Sequence, residues 1–372
     1  MSTVEIKRVD VYGYELTYVH GSYVMSGGRE ISGLPATVVR LTADNGMTGF
    51  GETCPLGPAY LEAHGEGARV ALRELAPVLV GLDPREPQVL LDHMDAALRG
   101  HGYAKSAVDT ACWDLLGKVA GMPVCILLGG RRSDSYPLYV AIPLGSAEAM
   151  TSEVERLRTE GIHHFQLKLG ADPREDAARV HSVLEACDDD DLVIADANGG
   201  WRLQDAVIAA RLLEPLERVF FEQPCPTLEE CLYVRRLTRL PMVLDEVITD
   251  PLSLMRANQA QGMEAINLKI SKAGGITRAR QLRDLAESLG VRVTIEDTWG
   301  GDLVTAAVSH LAASTAPGAL FTVSFMNDWT REHIAGYQPR SRNGVGDAPH
   351  GPGLGVEVDL EQLGEPIFSC GT

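Results

Sequence analysis

Five ionisable residues close five consecutive apolar runs of the chain, and they recur at nearly equal intervals. They are Lys168, Asp196, Glu222, Asp245 and Lys269. Three carboxylates without a His or Cys in the set offer only oxygen donors, which suit Mg²⁺ or Mn²⁺ better than zinc or copper. A cation held there would stabilise the charge that develops when a bound carboxylate loses its α-proton. These residue types therefore predict metal-assisted removal of a proton α to a carboxylate.

Lys168 and Lys269 are the candidate acid–base groups of this set. A lysine must lose its proton to act as a base, and a nearby cation and a second ammonium would lower its pKa. We therefore expect lowered pKa values for both lysines. One Lys or Asp at the end of a strand is usually a solvated loop residue. Five such residues in the same phase favour a common site instead.

A repeat in the middle of the chain must position these side chains. From about residue 138, apolar runs alternate with amphipathic helical stretches, which is typical of parallel strands joined by crossover helices. The eight runs are LYVAI (138–142), HFQLK (164–168), LVIAD (192–196), RVFFE (218–222), MVLD (242–245), AINLK (265–269), RVTIE (292–296) and LFTV (320–323). They predict an α/β fold with a (β/α)7β TIM-type barrel, whose chemistry lies at the C-terminal ends of the strands. Lys168 and Lys269 end the second and sixth strands, so they should face each other across the barrel mouth.

The remaining segments predict a different organisation. Residues 1–128 contain runs typical of antiparallel strands around a turn at DNG, followed by helical patterns, and so form a separate α+β domain. Residues 129–340 form the barrel. The segment 341–372 begins rich in Gly and Pro, and we expect it to return to the first domain.

Composition argues against several classes of protein. A formal charge of −18 disfavours a nucleic-acid partner. The first residues, MSTVEIKRVD, carry charges where a signal peptide is apolar, and no run approaches the length of a membrane span. The seven cysteines include no CxxC pair, which indicates neither a disulfide framework nor a zinc site. We therefore expect a cytoplasmic protein with a small-molecule carboxylate substrate and no membrane partner.

Four motifs surround the candidate residues, namely ADANGGW with Asp196, FEQPCP with Glu222, LDE with Asp245, and INLKISKAGG with Lys269. In these motifs the chain resembles the enolase superfamily, in the muconate lactonizing enzyme-like branch of the mandelate racemase/muconate lactonizing enzyme family. The resemblance implies that these three carboxylates bind Mg²⁺, that Lys168 and Lys269 are catalytic, that Lys272 is structural, and that the protein is a homo-oligomer. The family's KxK pattern stands here as Gln166-Leu167-Lys168, so the usual base is retained and Gln166 replaces the first lysine.

Several segments resemble a subgroup that acts on proline derivatives, which includes cis-3-hydroxy-L-proline dehydratases and hydroxyproline betaine 2-epimerases. They are GSYVMSGG (21–28), GETCPLGPAY (51–60), GHGYAKSAVD (100–109), FQLKLG (165–170) and IEDTWGGD (295–302). The resemblance implies that the first domain is a capping domain whose loops 19–31 and 53–60 select the substrate. The candidate substrate contacts are Tyr60, Gln166, Asn198, Asp297 and Trp299. Asp297 or Trp299 could face a cationic ring nitrogen.

Two outcomes of α-proton removal stay open. Lysines on opposite faces support anti elimination of cis-3-hydroxy-L-proline to Δ1-pyrroline-2-carboxylate, and they equally support inversion of the α-carbon of a proline or hydroxyproline betaine. The segments GSYVMSGG, FQLK and INLKISK are more similar to the dehydratase group, and this similarity favours the dehydratase, a lyase, over the 2-epimerase, an isomerase. Gln166 disfavours muconate cycloisomerisation and acyl-amide racemisation, which usually accompany the full KxK pattern. A non-catalytic barrel would be expected to lack one of the five residues.

Overall fold

An antiparallel sheet and three long helices form the first part of the fold. The computed structural model describes residues 4–216 and 218–372, so residues 1–3 of the predicted first domain lie outside the described residues. The elements are β1 (Ile6–Thr17), β2 (Tyr23–Met25), β3 (Arg29–Ile31), β4 (Gly33–Ala43), β5 (Thr48–Thr53), α1 (Gly65–Leu79), α2 (Pro87–Ala97), α3 (Gly102–Ala120) and the short α4 (Val124–Leu127). β1 pairs with β4, β4 pairs with β5, and β2 and β3 form a separate hairpin.

Helix α3 lies unusually close to this sheet, because glycines face it from β5. A Cβ atom added at Gly51 would lie 2.0 Å from the carbonyl oxygen of Ala107, and one at Gly49 would lie 2.3 Å from that of Ala111. α3 also contacts the barrel, where Asp109 accepts hydrogen bonds from the backbone and side chain of Thr277. The helix is therefore buried on most of its faces between the two parts of the fold.

The barrel follows in alternating strands and helices. In chain order its elements are β6 (Tyr136–Pro137), β7 (Tyr139–Ile142), α5 (Ala147–Thr159), β8 (His164–Lys168), α6 (Pro173–Glu185), β9 (Leu192–Asp196), α7 (Leu203–Leu213), β10 (Val219–Glu222), α8 (Leu228–Arg235), β11 (Met242–Leu244), α9 (Pro251–Gln259), β12 (Ala265–Lys269), α10 (Ile270–Ala273), α11 (Ile276–Ser288), β13 (Arg292–Glu296), α12 (Asp302–Ala313) and β14 (Leu320–Val323).

The parallel sheet confirms the predicted barrel. Its eight strands run in sequence order from β7 to β14, and a parallel bridge between Leu138 and Val323 joins the two ends of the sheet. All eight predicted runs correspond to these strands within one residue at either end. The pairing register brings Lys168 opposite Asp196 and Asp196 opposite Glu222. The residues chosen for their common phase therefore lie at the same height in the barrel.

The C-terminal segment returns to both parts of the fold. It contains β15 (Val345–Gly346), α13 (Leu360–Leu363) and β16 (Phe368–Gly371). β15 pairs with β6 beside the barrel, and β16 pairs with β1, so that the antiparallel sheet has the order β16-β1-β4-β5. In the part of the chain that the structure describes, no helix has the length and apolar character needed to cross a membrane.

A buried carboxylate joins the antiparallel sheet to the barrel. Glu52, on β5, accepts hydrogen bonds from the backbone N–H groups of Gly301 at 2.9 Å, Leu303 at 3.2 Å and Val304 at 3.1 Å, and from the hydroxyl of Tyr14. The first N–H groups of a helix lack partners within the helix, so Glu52 supplies acceptors to the start of α12. Burial raises the pKa of this carboxyl to about 7, although the hydrogen bonds from Tyr14 and the backbone oppose the rise.

Candidate active site

A small pocket lies at the C-terminal ends of the barrel strands. Both predicted catalytic lysines and all the predicted substrate contacts line it, namely Lys168, Lys269, Tyr60, Gln166, Asn198, Asp297 and Trp299. Tyr23, Met25 and Leu56 of the first domain complete its walls, together with Trp329 from the barrel side. The structure thus brings together residues that the sequence separates by more than two hundred positions.

The three predicted metal ligands lie beneath this pocket and are buried. Asp196 and Glu222 are 0% exposed and Asp245 is 1% exposed. Glu222 accepts hydrogen bonds from Gln166 Nε2 at 3.0 Å to each oxygen and from Asn267 Nδ2 at 2.6 Å. Burial and the charges of Asp196 and Asp245 raise the pKa of Glu222 well above its usual range. Gln166 therefore orients a predicted metal ligand by donating hydrogen bonds to it.

Each predicted catalytic lysine forms an ion pair with one of these carboxylates. Lys168 Nζ donates to Asp196 Oδ2 at 2.5 Å, and Lys269 Nζ donates to Asp245 Oδ2. Burial acts to lower the pKa of both lysines, but the paired carboxylates outweigh it and the pKa of each is raised. The expectation of lowered pKa values concerns lysines beside a bound cation, which would compete with each ammonium for its carboxylate, and it stays a prediction.

The fit of the site to a divalent cation can be judged from its donors. Within residues 4–216 and 218–372, no three His, Cys, Asp or Glu side chains are arranged to hold a metal ion. The carboxylate oxygens of Asp196, Glu222 and Asp245 accept hydrogen bonds from lysine and amide side chains. The donor chemistry nevertheless fits Mg²⁺, because all three ligands are buried carboxylates and nothing softer is present among them.

The charge balance around the pocket also fits a cation. Carboxylates outnumber lysines there: the acidic groups are Asp196, Glu222, Asp245, Glu246, Glu296 and Asp297, and the basic groups are Lys168, Lys269 and Lys272. Glu246 Oε2 and Asn198 Oδ1 are buried and accept no hydrogen bond from any described residue. Uncompensated carboxylates and unpaired oxygens are costly in a buried site, and a divalent cation would reduce both costs.

Four further polar residues belong to the site but were not among the predicted site residues. Lys272 Nζ donates to the carbonyl oxygen of Asp245 at 2.7 Å and to its Oδ1 at 3.0 Å, and its structural role stays a prediction. Asn267 binds Glu222 from the strand that carries Lys269. Glu296 and Tyr139 line the pocket and are hydrogen-bonded to each other. Glu296 could have been found from the sequence, because it closes the RVTIE run in the phase of Lys269.

The two loops of the first domain meet over the pocket. Tyr60 Oη accepts a hydrogen bond from Lys269 Nζ at 2.6 Å and donates to Asp245 Oδ2 at 3.2 Å. Arg29 donates to the carbonyl oxygens of Ser26 at 2.9 Å and Ala59 at 3.0 Å, which ties the hairpin loop to the loop that carries Tyr60. The sequence identified both loops, and their mutual contact through Arg29 is a tertiary feature.

Asp297 and Trp299 occupy the wall that follows β13. Asp297 accepts hydrogen bonds from the backbone and hydroxyl of Ser271 and from the backbone of Thr298, and burial raises its pKa to about 6. Trp299 is 1% exposed and packs edge-on against Tyr23 and Trp329, with ring centroids 5.6 and 5.7 Å away. Its indole Nε1 donates to no described residue. Trp299 is thus a packing aromatic that also lines the pocket.

Comparison with known proteins agrees with this geometry. Residues 25–129 match the family described as mandelate racemase/muconate lactonizing enzyme, N-terminal domain, and residues 149–363 match enolase C-terminal domain-like sequences. The chain is 43% identical over 364 residues to a cis-3-hydroxy-L-proline dehydratase from Roseibium aggregatum, covering 98% of this chain and 99% of the relative.

Solved structures extend the similarity to the whole fold. A mandelate racemase/muconate lactonizing enzyme from Roseovarius nubinhibens ISM superposes with a TM-score of 0.96 at 38% identity, covering 100% of this chain and 99% of the other. Another protein of this kind from the same organism, solved in complex with magnesium, superposes with a TM-score of 0.95 at 35% identity, covering 99% and 100% of the two chains.

Proposed function

Because this chain belongs to the mandelate racemase/muconate lactonizing enzyme family of the enolase superfamily, we propose that it dehydrates cis-3-hydroxy-L-proline to Δ1-pyrroline-2-carboxylate. The family chemistry is removal of the proton α to a carboxylate. The observation that carries the proposal is a pocket lined by Lys168 and Lys269 above three buried carboxylates. The similarity to the Roseibium aggregatum dehydratase over nearly the whole chain supports the choice of substrate.

In this proposal Asp196, Glu222 and Asp245 hold Mg²⁺. The bound ion would supply positive charge that stabilises the enolate-like charge on the substrate carboxylate. Gln166 and Asn267 orient Glu222 through the amide donors described above. Residues that orient a metal ligand matter nearly as much as the ligand itself. The proposed cofactor is therefore supported by residues on several barrel strands.

The two lysines divide the proton transfers between them. One lysine, in its neutral form, takes the α-proton, while the other, as an ammonium, protonates the departing hydroxide. In cis-3-hydroxy-L-proline the hydroxyl and the carboxylate share a ring face, so the α-proton and the leaving group lie on opposite faces. Lysines from β8 and β12, on opposite sides of the barrel, suit this anti elimination. The resulting enamine tautomerises to the cyclic imine.

A 2-epimerase acting on hydroxyproline betaine is the second candidate. Trp299, Trp329 and Tyr23 line the pocket, and aromatic faces attract quaternary ammonium groups. The same two lysines would remove the α-proton from one face and return a proton to the other. A non-catalytic barrel has less support, because workable groups fill all five positions that proton removal requires.

The two activities can be separated by one experiment. The protein is incubated with Mg²⁺ in D₂O together with free or N-methylated hydroxyprolines, and NMR follows both the α-proton signal and pyrroline formation. We expect pyrroline from cis-3-hydroxy-L-proline. Exchange of the α-proton without pyrroline would refute the dehydratase and favour the epimerase. Absence of exchange from every α-acidic carboxylate tested would refute both.

A further inference from the structure

One side chain that lines the pocket carries a buried carboxylate oxygen with no hydrogen-bond partner among the described residues. Glu296 is 2% exposed, and its Oε2 accepts the hydroxyl proton of Tyr139. Its Oε1 accepts no hydrogen bond from any described residue, although it lies 3.4 Å from the ammonium of Lys269. Buried polar atoms nearly always have a hydrogen-bond partner, so an oxygen without one, on a side chain that lines a pocket, can accept a hydrogen bond from a bound molecule.

The other carboxylate that lines the pocket is already engaged. Asp297 Oδ2 accepts from Ser271 N at 2.9 Å and from Ser271 Oγ at 2.7 Å, and its Oδ1 accepts from Thr298 N at 2.8 Å. Of the residues that the structure describes along this pocket, Glu296 therefore offers the available carboxylate oxygen. That oxygen is on the Lys269 side, because Lys269 and Glu296 are paired neighbours on β12 and β13.

An ammonium donor beside a carboxylate acceptor is the complement of a hydroxyl group. A hydroxyl oxygen accepts one hydrogen bond and its O–H donates another. Lys269 Nζ and Glu296 Oε1 are close enough to contact one hydroxyl oxygen together at ordinary hydrogen-bond distances. A carboxylate or an ammonium substituent would meet repulsion from one member of this pair.

We propose that Glu296, together with Lys269, binds the leaving hydroxyl of the substrate, which leaves Lys168, the usual base of the family, to take the α-proton. This assignment rests on the proposed function. Neutral Lys168 takes the α-proton as the Cα–H bond breaks, the electron pair forms the Cα–Cβ double bond, and the Cβ–O bond breaks. Lys269 gives its proton to the departing hydroxide, which leaves as water. Glu296 is a specificity-determining residue whose Oε1 accepts a hydrogen bond from the substrate hydroxyl and so orients the hydroxyl oxygen toward Lys269.

The test uses binding, so that it does not depend on turnover. In a Lys168→Met background the substrate stays intact, and calorimetry in Mg²⁺ buffer measures the affinities of cis-3-hydroxy-L-proline and L-proline. We expect the hydroxylated ligand to bind about tenfold more tightly, as one hydrogen bond to a charged group allows. Adding Glu296→Gln, which presents an amide donor or a weaker acceptor in the same volume, should reduce this preference to about twofold or less.

Glu52→Gln is the matched control. Glu52 is equally buried and also accepts a tyrosine hydroxyl, but it lies outside the pocket. Loss of the preference with Glu296→Gln and its retention with Glu52→Gln would support the assignment. Retention with Glu296→Gln, or loss with both substitutions, would overturn it. If the wild-type protein forms no pyrroline, the proposed function is refuted. If it forms pyrroline but Glu296→Gln leaves the preference for the hydroxylated ligand unchanged, only the role of Glu296 is refuted.

Discussion

Replacing Glu52 by Gln should change how the stability of the protein depends on pH. Glu52 is buried between β5 and the start of α12, where burial raises its pKa from 4.5 to about 7. The folded protein therefore binds this proton more tightly than the unfolded chain does. The contribution of this proton to the unfolding free energy is present in full below pH 4.5, and it is lost as the pH rises through 7.

The magnitude follows from the difference between the two pKa values. A difference of one pKa unit corresponds to about 1.4 kcal/mol, so ionisation of Glu52 costs the folded state about 3 kcal/mol by the time the pH exceeds 7. Gln does not titrate, so the Glu52→Gln protein does not lose this unfolding free energy as the pH rises. Tyr14 and Asp302 interact with Glu52 and are present in both proteins. Their own effects on the unfolding free energy therefore largely cancel when the two proteins are compared.

The assay is urea unfolding of wild type and Glu52→Gln at pH 5 and pH 8, followed by tryptophan fluorescence. The informative quantity is the change in unfolding free energy between the two pH values, because the substitution also alters the hydrogen bonds at every pH. We expect wild type to lose about 2 to 3 kcal/mol more than the variant over this window. Equal losses, within about 0.5 kcal/mol, would refute the raised pKa and its structural cause.

Three other predictions follow from the site and the packing. Lys168→Ala should slow α-proton exchange in D₂O by about 10³-fold, the usual effect of losing a general base, and a rate near that of wild type would exclude this role. Removal of Mg²⁺ with EDTA should abolish exchange and added Mg²⁺ should restore it; exchange that persists in EDTA would contradict the metal site. Gly51→Ala should destabilise the protein by about 3 kcal/mol, because the new Cβ would lie 2.0 Å from the Ala107 carbonyl oxygen. Gly318→Ala, which meets nothing within 4 Å, should leave the melting temperature nearly unchanged, and similar shifts for the two would contradict the close approach.

The barrel could be predicted from the sequence because its signal is periodic and local. Each strand is a short apolar run, and the residue that ends a run lies at the mouth by the geometry of parallel strands. That rule brought Lys168, Asp196 and Lys269 to one site without any knowledge of long-range contacts. Applied to the seventh run, it would also have found Glu296.

Features that depend on side-chain contact could not be predicted in this way. Whether Lys168 is deprotonated more or less easily depends on its distance from Asp196, which spacing does not reveal. The roles of Lys272 and Tyr139 are likewise set by which oxygens their side chains reach. Contacts between the first domain and the barrel, such as that of Glu52, join residues with no shared local pattern.

The pairing of β16 with β1 has a consequence for how the protein matures on the ribosome. β1 is the first strand of its sheet to be synthesised, yet its partner on one side is made only after the entire barrel has emerged. Until then the edge of β1 exposes unpaired backbone groups, which are a template for association with other chains. Once they are synthesised, residues 368–371 can pair with residues 8–11 and cover this edge. Truncating them should leave the barrel strands intact but make the newly made protein prone to aggregation.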